Sequence, residues 1–109
     1  MAKIGDADFV GVSGKKYAFG VYSSDTTFKD IGAVYIFSKR TESQGKGSHS
    51  FLYIGETGRL GTRVSGHEKW PCVKQHGVNC ICVCAENHQN SRLDTEADLR
   101  MNKITPCND

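Results

Sequence analysis

Proline is scarce in this sequence, 2 residues in 109, and no apolar run approaches the roughly 20 residues that span a bilayer. Neither sign of charge dominates. A formal net charge of +2 and a pI near 8.3 permit a nucleic-acid partner without arguing for one, because the clustering of charge decides that question. No CxxC pair occurs, which leaves a structural zinc site with little support. The N-terminal MAKIGDADF lacks the apolar stretch of an export signal, so the sequence reads as intracellular and cytoplasmic. In that setting an odd count of 5 cysteines argues against a disulfide framework. Internal repeats and low-complexity tracts are also missing. The length suits one domain with a single modest core.

What is present is a series of short strand-like runs. Phe9 to Val12 and Tyr17 to Tyr22 flank Ser13-Gly14-Lys15-Lys16, a polar gap with glycine that reads as a hairpin. The hairpin either extends the main sheet or covers an edge, and its tip lysines read as a solvated turn. Ala33 to Ser38 is the first strong strand, with Val34 and Ile36 on one face and Tyr35 and Phe37 on the other. Lys39 to His49 is polar, contains two glycines, and reads as a flexible connection. Phe51 to Gly55 is the second strong strand, with Leu52 and Ile54 as its aliphatic face and Phe51 and Tyr53 as its aromatic one. Antiparallel pairing of the two strands puts Tyr35 and Tyr53 on the same side of the sheet.

The run FLYIGETGRLGTRVSGHEKW, Phe51 to Trp70, is the richest in chemistry. After the Gly-Glu-Thr-Gly turn, a helix is expected over about Leu60 to Lys69, buried along Leu60 and Val64, with Arg63 and His67 one turn apart. Gly61 and Gly66 each weaken that helix by about 1 kcal/mol. Trp70-Pro71 is expected to end it. Val78 to Ala85 is the third strong strand, with Ile81 and Val83 opposite Cys80, Cys82 and Cys84, which read as small buried hydrophobes. After a polar loop over Glu86 to Asn90, a second helix is expected from about Ser91 as N-cap, with Asp94 in its first turn. Its apolar stripe is Leu93, Ala97, Met101 and Ile104, with Glu96 on the edge.

Taken in order, Ala33-Val34-Tyr35, Tyr53-Ile54-Gly55, Thr57 and Leu60, Arg63-x-x-x-His67, Glu96 and Pro106-x-Asn108 resemble the GIY-YIG nuclease family. The resemblance covers about Ile31 to the C-terminus. Ala33 stands where the family has glycine, although Gly32 precedes it, and the connection Lys39 to Ser50 is longer than in compact members. The fold implied is α/β in the α+β sense, a small central antiparallel β-sheet flanked by α-helices. Residues 1–30 are then an N-terminal β-hairpin extension and residues 31–109 the catalytic core of one domain.

The activity implied is that of a metal-dependent endonuclease hydrolysing DNA phosphodiester bonds. By resemblance, Tyr35 is the leading general base, with Tyr53 and His67 positioning or sharing the proton. Arg63 holds a non-bridging oxygen, a task suited to its planar fork. Glu96 binds a divalent cation, Mg²⁺ or Mn²⁺, and Asn108 orients the phosphate or ties down the site. Gly55, Thr57, Arg59 and Lys69 are expected to contact substrate. Bringing a phenol from its usual value near 10 to about 7 requires about 4 kcal/mol of differential stabilisation. The implied partners are DNA and a separate DNA-targeting domain or protein, with no membrane. The alternative is a catalytically weak or inactive nucleic-acid-binding module of the same fold. A purely structural domain leaves the joint ordering of these residues unexplained.

Overall fold

Continuous apolar runs such as Ala33–Phe37 require a sheet that is buried on both faces, and the chain supplies helices for each. The computed structural model describes residues 3–101 and 103–108. Strands β1 (Lys3–Val10), β2 (Lys16–Ser23), β3 (Ala33–Ser43) and β4 (Lys46–Thr57) come first. Helices α1 (Leu60–Ser65) and α2 (Trp70–Gln75), strand β5 (Cys80–Ala85) and helix α3 (Gln89–Arg100) follow. The five strands form one antiparallel sheet in the order β1-β2-β5-β3-β4. This is an α+β domain. No helix among the described residues is long and apolar enough to cross a membrane.

One sheet face packs Val34, Ile36, Phe51, Ile54, Cys80 and Cys82 against Phe19, Val21 and Leu99 of α3. The other packs Tyr35, Phe37, Leu52 and Ile81 against Leu60, Val64 and Val73 of α1 and α2. The split of β3 is thus the expected one, and so is that of β5. Burial pushes the Cys82 thiol up to about 12, as suits a small core residue.

The split of β4 differs. Phe37 pairs with Tyr53 but Ser38 pairs with Phe51, so Leu52 is an extra residue in a β-bulge. Past the bulge the alternation resets. Phe51 joins Ile54 on the α3 face, while Leu52 joins Tyr53 on the face of α1 and α2. Tyr35 and Tyr53 still share a face.

The stretch Lys39 to His49 is no loop. β3 and β4 run on as a ribbon to Ser43↔Lys46, closed by Gln44 and Gly45, whose φ values of 53° and 78° are those of a tight hairpin turn. The N-terminal hairpin begins earlier than expected, at Lys3, and extends the sheet through β2 against β5. It is also tied to α3: Asp98 accepts the Ser13 N–H at 2.9 Å, the Ser13 hydroxyl at 2.7 Å and the Tyr17 hydroxyl at 2.7 Å.

The single helix expected over Leu60 to Lys69 is two. α1 stops at Ser65 before Gly66, and Trp70-Pro71 opens α2 rather than closing α1. Proline suits that place because the first turn of a helix leaves its N–H groups unpaired. Asp30, from the preceding loop, accepts the Thr62 N–H at 2.6 Å and the Thr62 hydroxyl at 2.8 Å at the start of α1.

α3 begins at Gln89 with His88 as N-cap, not at Ser91, so Asp94 falls outside the first turn. The stripe expected to be buried faces solvent instead: Leu93 is 43% exposed, Met101 69% and Ile104 89%. The helix buries Arg92 and Leu99, which amounts to turning the expected face by one residue, about 100°. The cause is Arg92. Its Nε donates to Glu56 at 2.9 Å, and its Nη1 donates to the carbonyls of Glu86 at 3.1 Å and Asn87 at 2.8 Å. Paired in this way, a buried guanidinium is tolerated and fixes the helix rotation.

Two cysteines correct the reading of the odd count. Cys72 of α2 and Cys107 of the C-terminal segment form a disulfide, leaving Cys80, Cys82 and Cys84 free.

Candidate active site

Tyr35 lies directly opposite Gly55 in the β3–β4 ladder. The glycine lets the phenol cross its partner strand. A Cβ at position 55 would stand 2.7 Å from the Tyr35 Oη and 2.9 Å from the Tyr53 Cε1. The Tyr35 hydroxyl meets His67 Nε2 at 2.8 Å. Tyr53 stacks beside Tyr35 with ring centroids 6.0 Å apart and meets the His67 ring edge-on at 4.7 Å. Arg63, one turn into α1, lies close enough for its charge to act on both phenols. It also reaches Glu68 at 3.4 Å.

His67 is therefore beside Arg63, but it does not share a helix with it. It sits in the turn between α1 and α2, and that turn sets its proton. The Lys69 backbone N–H donates to His67 Nδ1 at 3.0 Å, so Nδ1 carries the lone pair. The neutral ring then bears its proton on Nε2 and donates it to Tyr35. Burial first, and the nearby Arg63 charge second, bring the His67 pKa down to about 4. In this tautomer His67 is a donor to the phenol oxygen and takes no proton from it through Nε2.

Tyr35 has no exposed surface. Its hydroxyl is pushed above the usual phenol value, mainly by burial and further by Tyr53, against the lowering effect of Arg63. Tyr53 and Arg63 are half-buried and form the open side of the cluster. Behind the cluster, Phe37 stacks on Trp70 at 4.7 Å, and the Trp70 indole donates to the Val64 carbonyl at 2.7 Å. This wall of rings holds the turn that carries His67.

Glu96 lies on α3, whose Leu99 packs on the sheet face opposite to that of the tyrosines. It is half-buried and has no hydrogen-bond or ion-pair partner among the described residues. Burial raises its pKa, Arg100 opposes that, and the charge of Glu56 adds to it. Glu56 follows Gly55 on edge strand β4, so its carboxylate, held by Arg92 of α3, and the phenol of Tyr35 lie on opposite faces of neighbouring residues of one strand.

Asn108 is a backbone clamp. Its Oδ1 accepts the Ile54 N–H at 3.0 Å and its Nδ2 donates to the Ile54 carbonyl at 2.9 Å, while Cys107 N–H donates to the Leu52 carbonyl at 2.9 Å. The C-terminal segment thereby covers the free edge of β4 at the tyrosine.

Of the residues expected at the substrate, Gly55 makes room for Tyr35, and the Thr57 hydroxyl accepts the Arg59 N–H at 3.0 Å to shape the turn into α1. The Arg59 side chain is 75% exposed and loosely paired with Asp30 at 3.7 Å. Lys69 contributes its backbone to His67. Arg92 and Trp70 escaped the sequence reading. The spacing of Arg92 four residues before Glu96 was visible, but nothing local marked it as buried. In comparisons with known proteins, no family model, no curated protein and no solved structure matches the chain.

Proposed function

We propose that this chain is a GIY-YIG-type endonuclease that hydrolyses DNA phosphodiester bonds with a divalent cation. The observation that carries the reading is the convergence of Tyr35, Tyr53, Arg63 and His67 at one end of the sheet, with the Tyr35–His67 bond at 2.8 Å. Packing alone gives no reason for two phenols, a guanidinium and a tautomer-fixed imidazole to point at one spot.

Tyr53, on the open side, takes the proton of the attacking water in its deprotonated, phenolate form. Tyr35, buried and receiving the Nε2–H of His67, holds Tyr53 and the guanidinium in register. Arg63 binds a non-bridging phosphate oxygen. Glu96 fits a hard cation: it is a half-buried carboxylate without a hydrogen-bond or ion-pair partner among the described residues, within reach of the charge of Glu56, whose carboxylate Arg92 already holds. Mg²⁺ or Mn²⁺ held there would stabilise charge on the leaving oxygen. Asn108 ties down the strand that carries Tyr53, and Arg59 offers an exposed cation to the DNA backbone.

The test is cleavage of labelled single-stranded, duplex, flapped and branched DNA with Mg²⁺ or Mn²⁺. Wild type is compared with Glu96→Ala, Arg63→Ala and Tyr53→Phe. The expected result is metal-dependent product that Glu96→Ala abolishes and Arg63→Ala reduces by about 10² or more. Undiminished cleavage by Glu96→Ala would remove the metal assignment. DNA binding without cleavage by wild type would leave a non-catalytic binding module.

A further inference from the structure

Cys72 and His76 are four residues apart, on α2 and at its C-cap, and so share one side of the helix. Cys107 is brought to the same spot by the C-terminal segment. His76 Nδ1 lies 3.9 Å from the Cys72 sulfur and 3.8 Å from the Cys107 sulfur. In a tetrahedral zinc site, bonds of about 2.3 Å to sulfur and about 2.05 Å to nitrogen set the ligand atoms about 3.6 Å apart. Both nitrogen–sulfur separations are therefore already close to those of a metal centre, and the obstacle is the bond between the two sulfurs. Cys107 is buried, Cys72 half-buried and His76 exposed, which gives an anchored floor and a route in from solvent.

We propose that Cys72, His76 and Cys107 form a Zn²⁺ site that opens when their disulfide is reduced. A dithiol reductant supplies two electrons and two protons, the sulfur–sulfur bond breaks to two thiols, and the reductant leaves as a disulfide. Uptake of Zn²⁺ then releases both thiol protons. His76 now donates its Nδ1 proton to the Cys72 carbonyl at 2.9 Å. On binding, that proton moves to Nε2 and the Nδ1 lone pair turns to the ion. Water fills the fourth position. Either form of the link joins α2 to the segment that sets Asn108 on Ile54. The loose state of that segment is the one that is both reduced and metal-free. The proposal is independent of the nuclease reading, because its readout is metal binding.

Reduced protein, freed of small thiols under anaerobic conditions, is titrated with Co²⁺ and then with Zn²⁺. Wild type should take up one equivalent of Co²⁺ with thiolate-to-cobalt charge-transfer absorption, bleached by Zn²⁺, and the disulfide form should show none. Cys107→Ser should lose the band. His76→Ala, altered at an exposed side chain, should raise the apparent Kd by at least about 10-fold, since even partners behind the ligands are worth that much. His49→Ala tests the one other imidazole near a cysteine, at 3.8 Å from Cys82, and should change nothing. Absence of the band in reduced wild type would overturn the proposal. So would a band equally strong in His76→Ala, or one lost in His49→Ala.

Discussion

Acidification from about pH 7 to about pH 5 should cost this fold roughly 2 kcal/mol through His67 alone. The ring is 4% exposed, accepts a backbone N–H on Nδ1, donates Nε2–H to Tyr35, and sits near the Arg63 charge. Protonating it would forfeit the bond from Lys69 and bury a cation beside another. Its pKa accordingly falls from 6.5 to about 4. A folded value below the unfolded one means that the unfolded chain binds the proton first as pH drops. Stability from this source is therefore fully present above about 6.5 and is lost progressively as pH falls toward and through about 4. Over the whole window it is worth about 3 kcal/mol. Urea unfolding of wild type at the two pH values should show a midpoint lower by about 1 M at the acid one, for an m-value of about 2 kcal/mol per M. His67→Gln should show a smaller drop by that amount. His49, which burial also lowers, is common to both proteins and cancels. Equal pH dependence in the two would refute the reasoning, and so would nitrogen shifts placing the His67 proton on Nδ1.

Gly55→Ala should destabilise by about 1–3 kcal/mol through overpacking against Tyr35. Combining it with Tyr35→Phe should cost less than the sum of the two, as read from thermal or urea unfolding. Arg92→Met leaves Glu56 half-buried without its partner and should cost about 3 kcal/mol, with Glu56→Gln added in the same chain recovering part of the loss. Asp98→Ala removes the acceptor of Ser13 and Tyr17, and amide exchange should accelerate through the N-terminal hairpin while Ile36 and Ile54 stay protected.

The strand cores were legible because period-two alternation is a local signal. Val34/Ile36 against Tyr35/Phe37 follows from it directly, as does Ile81/Val83 against the cysteines. The β4 split was not legible, since a bulge at Leu52 depends on how β3 registers against it and leaves no mark on β4's own residues. Apolar spacing alone turns the wrong face of α3 inward, because it carries no information about a buried Arg92. The carbonyls that draw Arg92 inward come from Glu86 and Asn87 in the loop before α3, and the ion pair from Glu56 on edge strand β4, which only the fold brings near. The Cys72–Cys107 bond was missed for a similar reason: parity and the lack of an export signal describe a compartment, not a distance. Within the site, Tyr35, Tyr53, Arg63 and His67 were named from the chain. The turn that gives His67 its tautomer was hidden under an expected continuous helix.

The strand order has a consequence for how the chain assembles. β1–β2 and β3–β4 are each joined by a short local turn, and isolated ribbons of this kind form in about 1–10 μs. No ladder joins β2 to β3; β5 lies between them and bonds to both. The sheet therefore becomes continuous only when a strand from much later in the chain inserts between two ribbons that are already made, and pairing of such sequence separation is the slow kind. Core truncations at Ile81 should retard folding, whereas loosening β1 should mainly hasten unfolding. During synthesis, the segments of both hairpins leave the ribosome before Cys80–Ala85, the strand that joins them into one sheet.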